Sequence, residues 1–170
     1  SAFYPGPGVG GHCIPIDPYY LYWRAKKFGH EAKFIKLAGD INIETTRWTV
    51  KNIVKILSKI KTKKRKKILI LGLAYKKNVE DIRESAAIKI LQSLTKMNYI
   101  VDFSDPHVDT NDTLVKKLVK KSKNIKINKN IKKYDCVVLV TDHDIFNYKT
   151  ISKYSKFLID TRNRVNRQRN

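Results

Sequence analysis

Cysteine is scarce: Cys13 and Cys136 stand far apart in 170 residues. They form neither a disulfide framework nor a Cys-x-x-Cys metal pair, which points to a reducing compartment and a cytoplasmic location. No apolar run reaches the ~20 residues that a membrane-spanning helix requires, and no signal-peptide pattern opens the chain. A membrane partner is therefore not expected. His30, His107 and His143 lack His-x-x-x-His or similar spacing, so no bound metal is expected. No Gly-x-Gly-x-x-Gly follows a predicted strand, so the fingerprint of a dinucleotide-binding unit is missing. Acidic residues are also few, 15 against 36 Lys and Arg, for a formal net charge of +21.

What remains is a globular composition. Hydrophobic residues make up 42% of the chain, and a chain of this length can bury a core without staples. The charge would suit a basic nucleic-acid-binding α/β domain. However, lysine is spread along the whole chain and draws no single stripe. The densest run, Lys59, Lys61, Lys63, Lys64, Arg65, Lys66 and Lys67, has no interleaved aromatics on which bases could stack. A solvated linker fits it better, so nucleic acid is not the expected partner, and a basic nucleic-acid-binding domain stays as the alternative of another class. The excess charge would also attract an anionic small molecule.

The most concentrated chemistry lies in Gly6-Pro7-Gly8-Val9-Gly10-Gly11-His12-Cys13-Ile14-Pro15-Ile16-Asp17-Pro18. Glycines at four of six positions allow a backbone that lies close against a neighbour. Asp17-Pro18 reads as N-cap and first residue of a helix. That would place the Cys13 thiol just ahead of a helix N-terminus, where a thiolate is favoured. The same residues also suit a plain turn, a cap and a small buried side chain. His12 and Cys13, as neighbours in a strand-like stretch, should point apart and form no dyad.

Periodicity organises the rest. Leu21, Tyr22, Ala25 and Phe28 predict a helix from Pro18 to Phe28, closed by Gly29. The spacing of Ile41, Thr45, Trp48, Val50, Ile53, Val54, Leu57 and Ile60 predicts a longer helix over Phe34–Ile60. Gly39 inside it marks either a close approach or a break. The pattern then changes. Ile68–Leu71, Tyr99–Phe103, Ile125–Ile127, Cys136–Val140 and Phe157–Ile159 read as strands. Three helices fall between them: one capped by Ser85 with Ala87, Ile90, Leu91, Leu94 and Met97 on its inner face, one around Leu114–Val119, and one at Tyr148–Tyr154. Such alternation predicts an α/β fold, a long connecting helix followed by a Rossmann-like parallel sheet.

Ligands of such sheets bind beyond the carboxyl ends of the strands. There the sequence offers Tyr75 and Lys76, an aromatic face and a cation suited to a nucleotide diphosphate. It also offers Thr141, Asp142 and His143, and then Arg162. Arg83 with Asp81 or Glu84 reads as a structural ion pair.

The run from Phe3 to Leu21 resembles the catalytic-cysteine loop of the UDP-glucose/GDP-mannose dehydrogenase family, in its UDP-N-acetylhexosamine 6-dehydrogenase branch. Gly72-Leu73-Ala74-Tyr75-Lys76 with Asp81-Ile82-Arg83-Glu84-Ser85 resembles the start of that family's UDP-binding domain. The resemblance implies an enzyme that oxidises the C6 alcohol of a UDP-linked N-acetylhexosamine to a carboxylate, with NAD as cofactor, for surface polysaccharide precursors. UDP-glucose is the alternative substrate. It implies Cys13 as nucleophile, Asp17 as a group that orients water, and substrate contacts from Tyr4, Gly8, Gly10, Gly11, Tyr75, Lys76 and Arg162. It further implies that residues 1–62 hold the cysteine loop and a homodimerising long helix, and that residues 63–170 hold the UDP-sugar. The NAD-binding domain and further catalytic groups would lie in a preceding segment, leaving these 170 residues inactive alone.

Overall fold

The computed structural model describes residues 4–62 and 64–165; Phe3 of the cysteine-loop motif and Lys63 of the basic run lie outside them. The chain starts with two helices, α1 (Cys13–Lys27) and α2 (Lys33–Ser58). It continues as β1 (Lys67–Leu71), α3 (Ala86–Lys96), β2 (Ile100–Ser104), α4 (Thr113–Val119), a 3-10 turn at Lys129–Lys133, β3 (Cys136–Leu139), α5 (Tyr148–Tyr154) and β4 (Leu158–Asp160). The four strands form one parallel sheet in the order β2-β1-β3-β4. The chain reverses its winding direction between β1 and β3, and that is where such sheets open a crevice.

Strand residues alternate between two cores, as a period of two demands. Ile68, Ile70, Val101, Phe103, Cys136 and Val138 pack under α2, α3 and α4. Leu69, Leu71, Val137 and Leu139 face the other way, against Ile131, Tyr134, Phe146, Tyr148 and Ile151. The Ser85 cap is in place, its hydroxyl accepting from the Ala87 N–H at 3.1 Å. Burial beside Asp135 pushes the Cys136 thiol up to about 12, so this cysteine is an inert core residue.

Three local expectations change and a fourth, left open between two outcomes at Gly39, is decided. α1 starts at Cys13 rather than Pro18, with His12 as N-cap, and Pro18 sits inside the helix. Pro15 falls in the first turn, where a missing N–H breaks no helical bond, so only Pro18 removes one. Asp17 is therefore not a cap. Met97 ends α3 with 53% of its surface exposed instead of lining the core. Ile125–Ile127 forms no strand, only a single bridge from Asn124 to Phe103. Gly39 does not break α2; a Cβ there would overlap the Tyr19 ring of α1, so the glycine serves a close helix crossing.

α2 is long, 26 residues, or ~39 Å at ~1.5 Å per residue. Its second half carries Thr46, Thr49, Val50, Ile53 and Leu57 into the core. Its first half does not pack there, and Phe34, Leu37, Ile41 and Ile43 are exposed. α1 has no buried residue. No helix among the described residues is long and apolar enough to cross a membrane.

Candidate active site

The glycine-rich segment lies across the carboxyl edge of the sheet and is tied down at every second residue from Pro5 to Gly11. The Pro5 carbonyl accepts from Arg162 Nη1 at 3.3 Å. The Pro7 carbonyl accepts from the Thr46 hydroxyl at 2.8 Å. Val9 is held on both sides by Asn42, whose Oδ1 accepts from its N–H at 2.7 Å and whose Nδ2 donates to its carbonyl at 3.0 Å. The Gly11 N–H donates to the Arg83 carbonyl at 2.9 Å. Glycine is required where this segment touches Tyr75. A Cβ on Gly10 would come within 2.8 Å of Tyr75 and of the Glu84 carbonyl oxygen, and one on Gly11 within 2.8 Å of the Tyr75 ring. Gly11 also has φ +95°, which L-residues with side chains rarely adopt. On their Cβ side, then, Gly8, Gly10 and Gly11 face Thr46 and Tyr75, which are protein groups.

Cys13 emerges from this segment as the first residue of α1, at the helix's positive dipole end. It is exposed. The His12, Cys13 and Asp17 side chains offer ligand atoms that all lie within 4.8 Å of one another. The helix brings them together, since Cys13 and Asp17 are one turn apart. The expectation that His12 points away from Cys13 rested on an extended backbone and fails with it. Thiol, imidazole and carboxylate are donor types that zinc accepts, though a metal-bound sulfur would no longer be free to attack carbon. Arg83 interacts electrostatically with Cys13 and Tyr75, and His12 with Asp81. Arg83 does pair with Asp81, at 2.7 Å. Its hydrogen bond holds the Asp81 carboxyl below the usual range. The ion-pair reading of Arg83 left out its carbonyl bond to Gly11 and its closeness to Cys13.

Of the strand-end groups, Tyr75 is half-buried under the glycine segment and Lys76 is exposed beside it. Arg162, 26% exposed, is oriented by Asp142 Oδ1 at 3.1 Å. These residues flank the crevice between β1 and β3. The crevice itself is almost filled by Pro7, Gly8, Ala74, Thr141 and Arg162, with only about 10 Å³ left inside. The crevice interior therefore leaves no room for a nucleotide, and Tyr75 and Arg162 stand at its border. Tyr4 lies on the outside of the same segment and is 64% exposed.

Thr141 and His143 are not rim groups. The Thr141 hydroxyl donates to the Ala74 carbonyl at 2.7 Å. His143 is fully buried; Nδ1 accepts from the Asn78 N–H, leaving Nε2 to donate to Asp105 at 3.0 Å. Asp105 is the hub of this edge. Its Oδ2 accepts from the Leu73 and Ala74 N–H groups at 2.6 and 2.9 Å, and its Oδ1 from those of His107 and Val108 at 2.9 and 3.2 Å. Burial pushes this carboxyl up, but the His143 bond and the backbone donors outweigh it and the net shift is downward.

That hub decides whether the sheet suits a dinucleotide. In a dinucleotide-binding turn, free N–H groups after the first strand receive the pyrophosphate. Here the first two N–H groups after Gly72 are already spent on Asp105. The residues present do not fit NAD at this position.

Comparison with known proteins agrees with the geometry. Residues 69–167 match the UDP-glucose/GDP-mannose dehydrogenase family, UDP binding domain, and residues 1–44 match the central domain of the same family. The chain is 35% identical over 170 residues to the UDP-N-acetyl-D-mannosamine dehydrogenase of Methanococcus vannielii, covering 95% of this chain and 36% of the relative. It is 34% identical over 113 residues to the UDP-N-acetyl-D-glucosamine 6-dehydrogenase of Pseudomonas aeruginosa, covering 66% of this chain and 26% of that one. The solved UDP-D-ManNAc dehydrogenase of Pyrococcus horikoshii superposes with a TM-score of 0.71 at 31% identity, over 94% of this chain and 36% of that one. The chain thus spans about a third of the length of the relatives it matches.

Proposed function

The chain belongs to the UDP-glucose/GDP-mannose dehydrogenase family, whose members are NAD-dependent nucleotide-sugar oxidoreductases, and from that premise we propose that it is the cysteine-bearing and UDP-binding part of a UDP-N-acetylhexosamine 6-dehydrogenase. The observation that carries the proposal is the exposed Cys13 at the head of α1, two residues beyond Gly11, which packs on the Tyr75 ring. In this reading the Tyr75 ring, Lys76 and Arg162 hold the uridine diphosphate, and Tyr4 with the glycine segment borders the sugar. The Cys13 thiolate adds to the C6 aldehyde carbon and makes a thiohemiacetal. Loss of hydride from that carbon leaves a thioester. Water adds to the thioester, the C–S bond breaks, and the products are the sugar carboxylate and the free thiol. Asp17, within reach of the sulfur, orients that water.

The hydride acceptor is held outside these 170 residues, because Asp105 already occupies the N–H groups a dinucleotide would need. The exposed apolar faces of α1 and α2, with Tyr20, Leu21, Trp23, Phe34 and Trp48, are covered in the assembled protein by a second copy of the chain.

The test uses the full-length protein with NAD and UDP-GlcNAc, UDP-ManNAc or UDP-glucose, and follows NADH. Turnover of an N-acetylhexosamine is expected. Turnover confined to UDP-glucose contradicts the substrate assignment, and turnover of none contradicts the function.

A further inference from the structure

Asn42 and Thr46 stand one turn apart on α2, on a single face of the helix. Below them the same helix sinks Val50, Ile53 and Leu57 into the core. Above, their side chains reach across more than thirty residues of sequence and grip the glycine segment, Thr46 at the Pro7 carbonyl and Asn42 at both polar groups of Val9. A β-strand would hold a segment by repeated backbone bonds. Among the described residues this segment pairs with no strand, and α2 stands in for one.

Packing alone does not hold it. A cavity of about 410 Å³ lies alongside, bordered by Val9, Asn42, Thr46, Val50, Ala86 and Met97. Without the Asn42 and Thr46 bonds, Val9 has room to shift into that space. Cys13 lies four residues beyond Val9, and between them the segment is held by the Gly11 bond to Arg83 and by the contacts of Gly10 and Gly11 with Tyr75.

We infer that Asn42 and Thr46 are positioning residues for the Cys13 sulfur: they fix the segment from a helix rooted in the core and so set where the nucleophile stands above the rim. The inference rests on the proposed role of Cys13. Reaction at a placed nucleophile is steeply sensitive to position, and a shift of about 1 Å costs about 100-fold in rate. Of the groups proposed to hold UDP, Tyr75 and Arg162 touch this segment, but both are rooted at the sheet's edge rather than in α2, Tyr75 by its N–H bond to the Asp81 carbonyl and Arg162 by Asp142.

The test uses the full-length enzyme with Asn42→Ala, Thr46→Val and Thr46→Ser. Three quantities are read: kcat for carboxylate formation, the Kd for UDP, and the rate of Cys13 alkylation by iodoacetamide without substrate. Asn42→Ala is expected to lower kcat by about 10- to 100-fold, keep the UDP Kd within about twofold, and change the alkylation rate. Thr46→Val should act in the same direction, and Thr46→Ser, which keeps the hydroxyl, should restore kcat to within about threefold. Unchanged kcat in Asn42→Ala and Thr46→Val overturns the inference. So does parallel loss of UDP binding in both, because that would mark a general structural role. The role of Cys13 is judged separately, by Cys13→Ala, so the two can fail independently.

Discussion

The two helices that open the chain and the sheet that follows differ in how they use apolar residues. α3 has 11 residues and buries six of them, Ala86, Ala87, Ile88, Ile90, Leu91 and Leu94. α1 has 15 residues and buries none, although it carries Ile14, Tyr19, Tyr20, Leu21 and Trp23. The sheet region closes its core with its own residues and with Val50, Ile53 and Leu57 from the second half of α2. α1 and the first half of α2 instead turn their apolar side chains outward. The candidate site sits on the junction, with Cys13 on the open side and Tyr75, Lys76 and Arg162 on the closed one. The lesson is that the proposed nucleophile and the proposed binding groups belong to parts that differ in burial, joined by hydrogen bonds of Arg162, Thr46, Asn42 and Arg83 with one short segment.

The contrast breaks most sharply at Asp105. Asp105→Ala strands four backbone N–H groups and His143 in a buried place, and should cost about 3–5 kcal/mol. Urea unfolding of the chain would show it; a loss under ~1 kcal/mol would mean the hub is not structural. Next comes Leu57→Ala, at the fully buried end of α2, with an expected loss of about 2–5 kcal/mol. Leu21→Ala on α1, also a leucine on a helix but 62% exposed, should stay within about 0.5 kcal/mol in the same measurement. Equal losses at the two leucines would erase the distinction.

Acid sharpens the same comparison. The Asp105 carboxyl is held below its ordinary value in the folded chain, so the unfolded state binds its proton first as pH falls. Its contribution is full above the unfolded value of ~3.9 and is lost as pH drops through the lower folded value. Thermal unfolding of the wild type should therefore fall steeply below about pH 4, while Asp105→Asn, already weakened, should show a shallower fall.

Much of the sheet region was open to reading from sequence. Ile68–Leu71, Cys136–Val140 and the Ser85 cap are local signals, and β1, β3 and the start of α3 follow them closely. The opening of α1 was not, because Asp-Pro is a strong start signal and Pro15 gave no hint that the helix already ran through it. The difference has a consequence for chemistry, since a helix that starts at Cys13 turns His12, Cys13 and Asp17 from separate residues into one cluster. Ile125–Ile127 had the composition of a strand but meets β2 at only one bridge. Asn42 and Thr46 carried no local signal, since what they hold lies 33 and 39 residues away. Asp105 and His143 meet across 38 residues and could be assigned as a pair only from the fold.

The central claim is that one sulfur carries the sugar from aldehyde to acid. It is tested most directly by counting carboxylate formed and NADH released per UDP-N-acetylhexosamine by the full-length enzyme and by its Cys13→Ala variant. The wild type should yield the carboxylate with two hydrides removed from each sugar, and the variant should yield no carboxylate. Carboxylate formed by the variant at the wild-type rate would contradict the account.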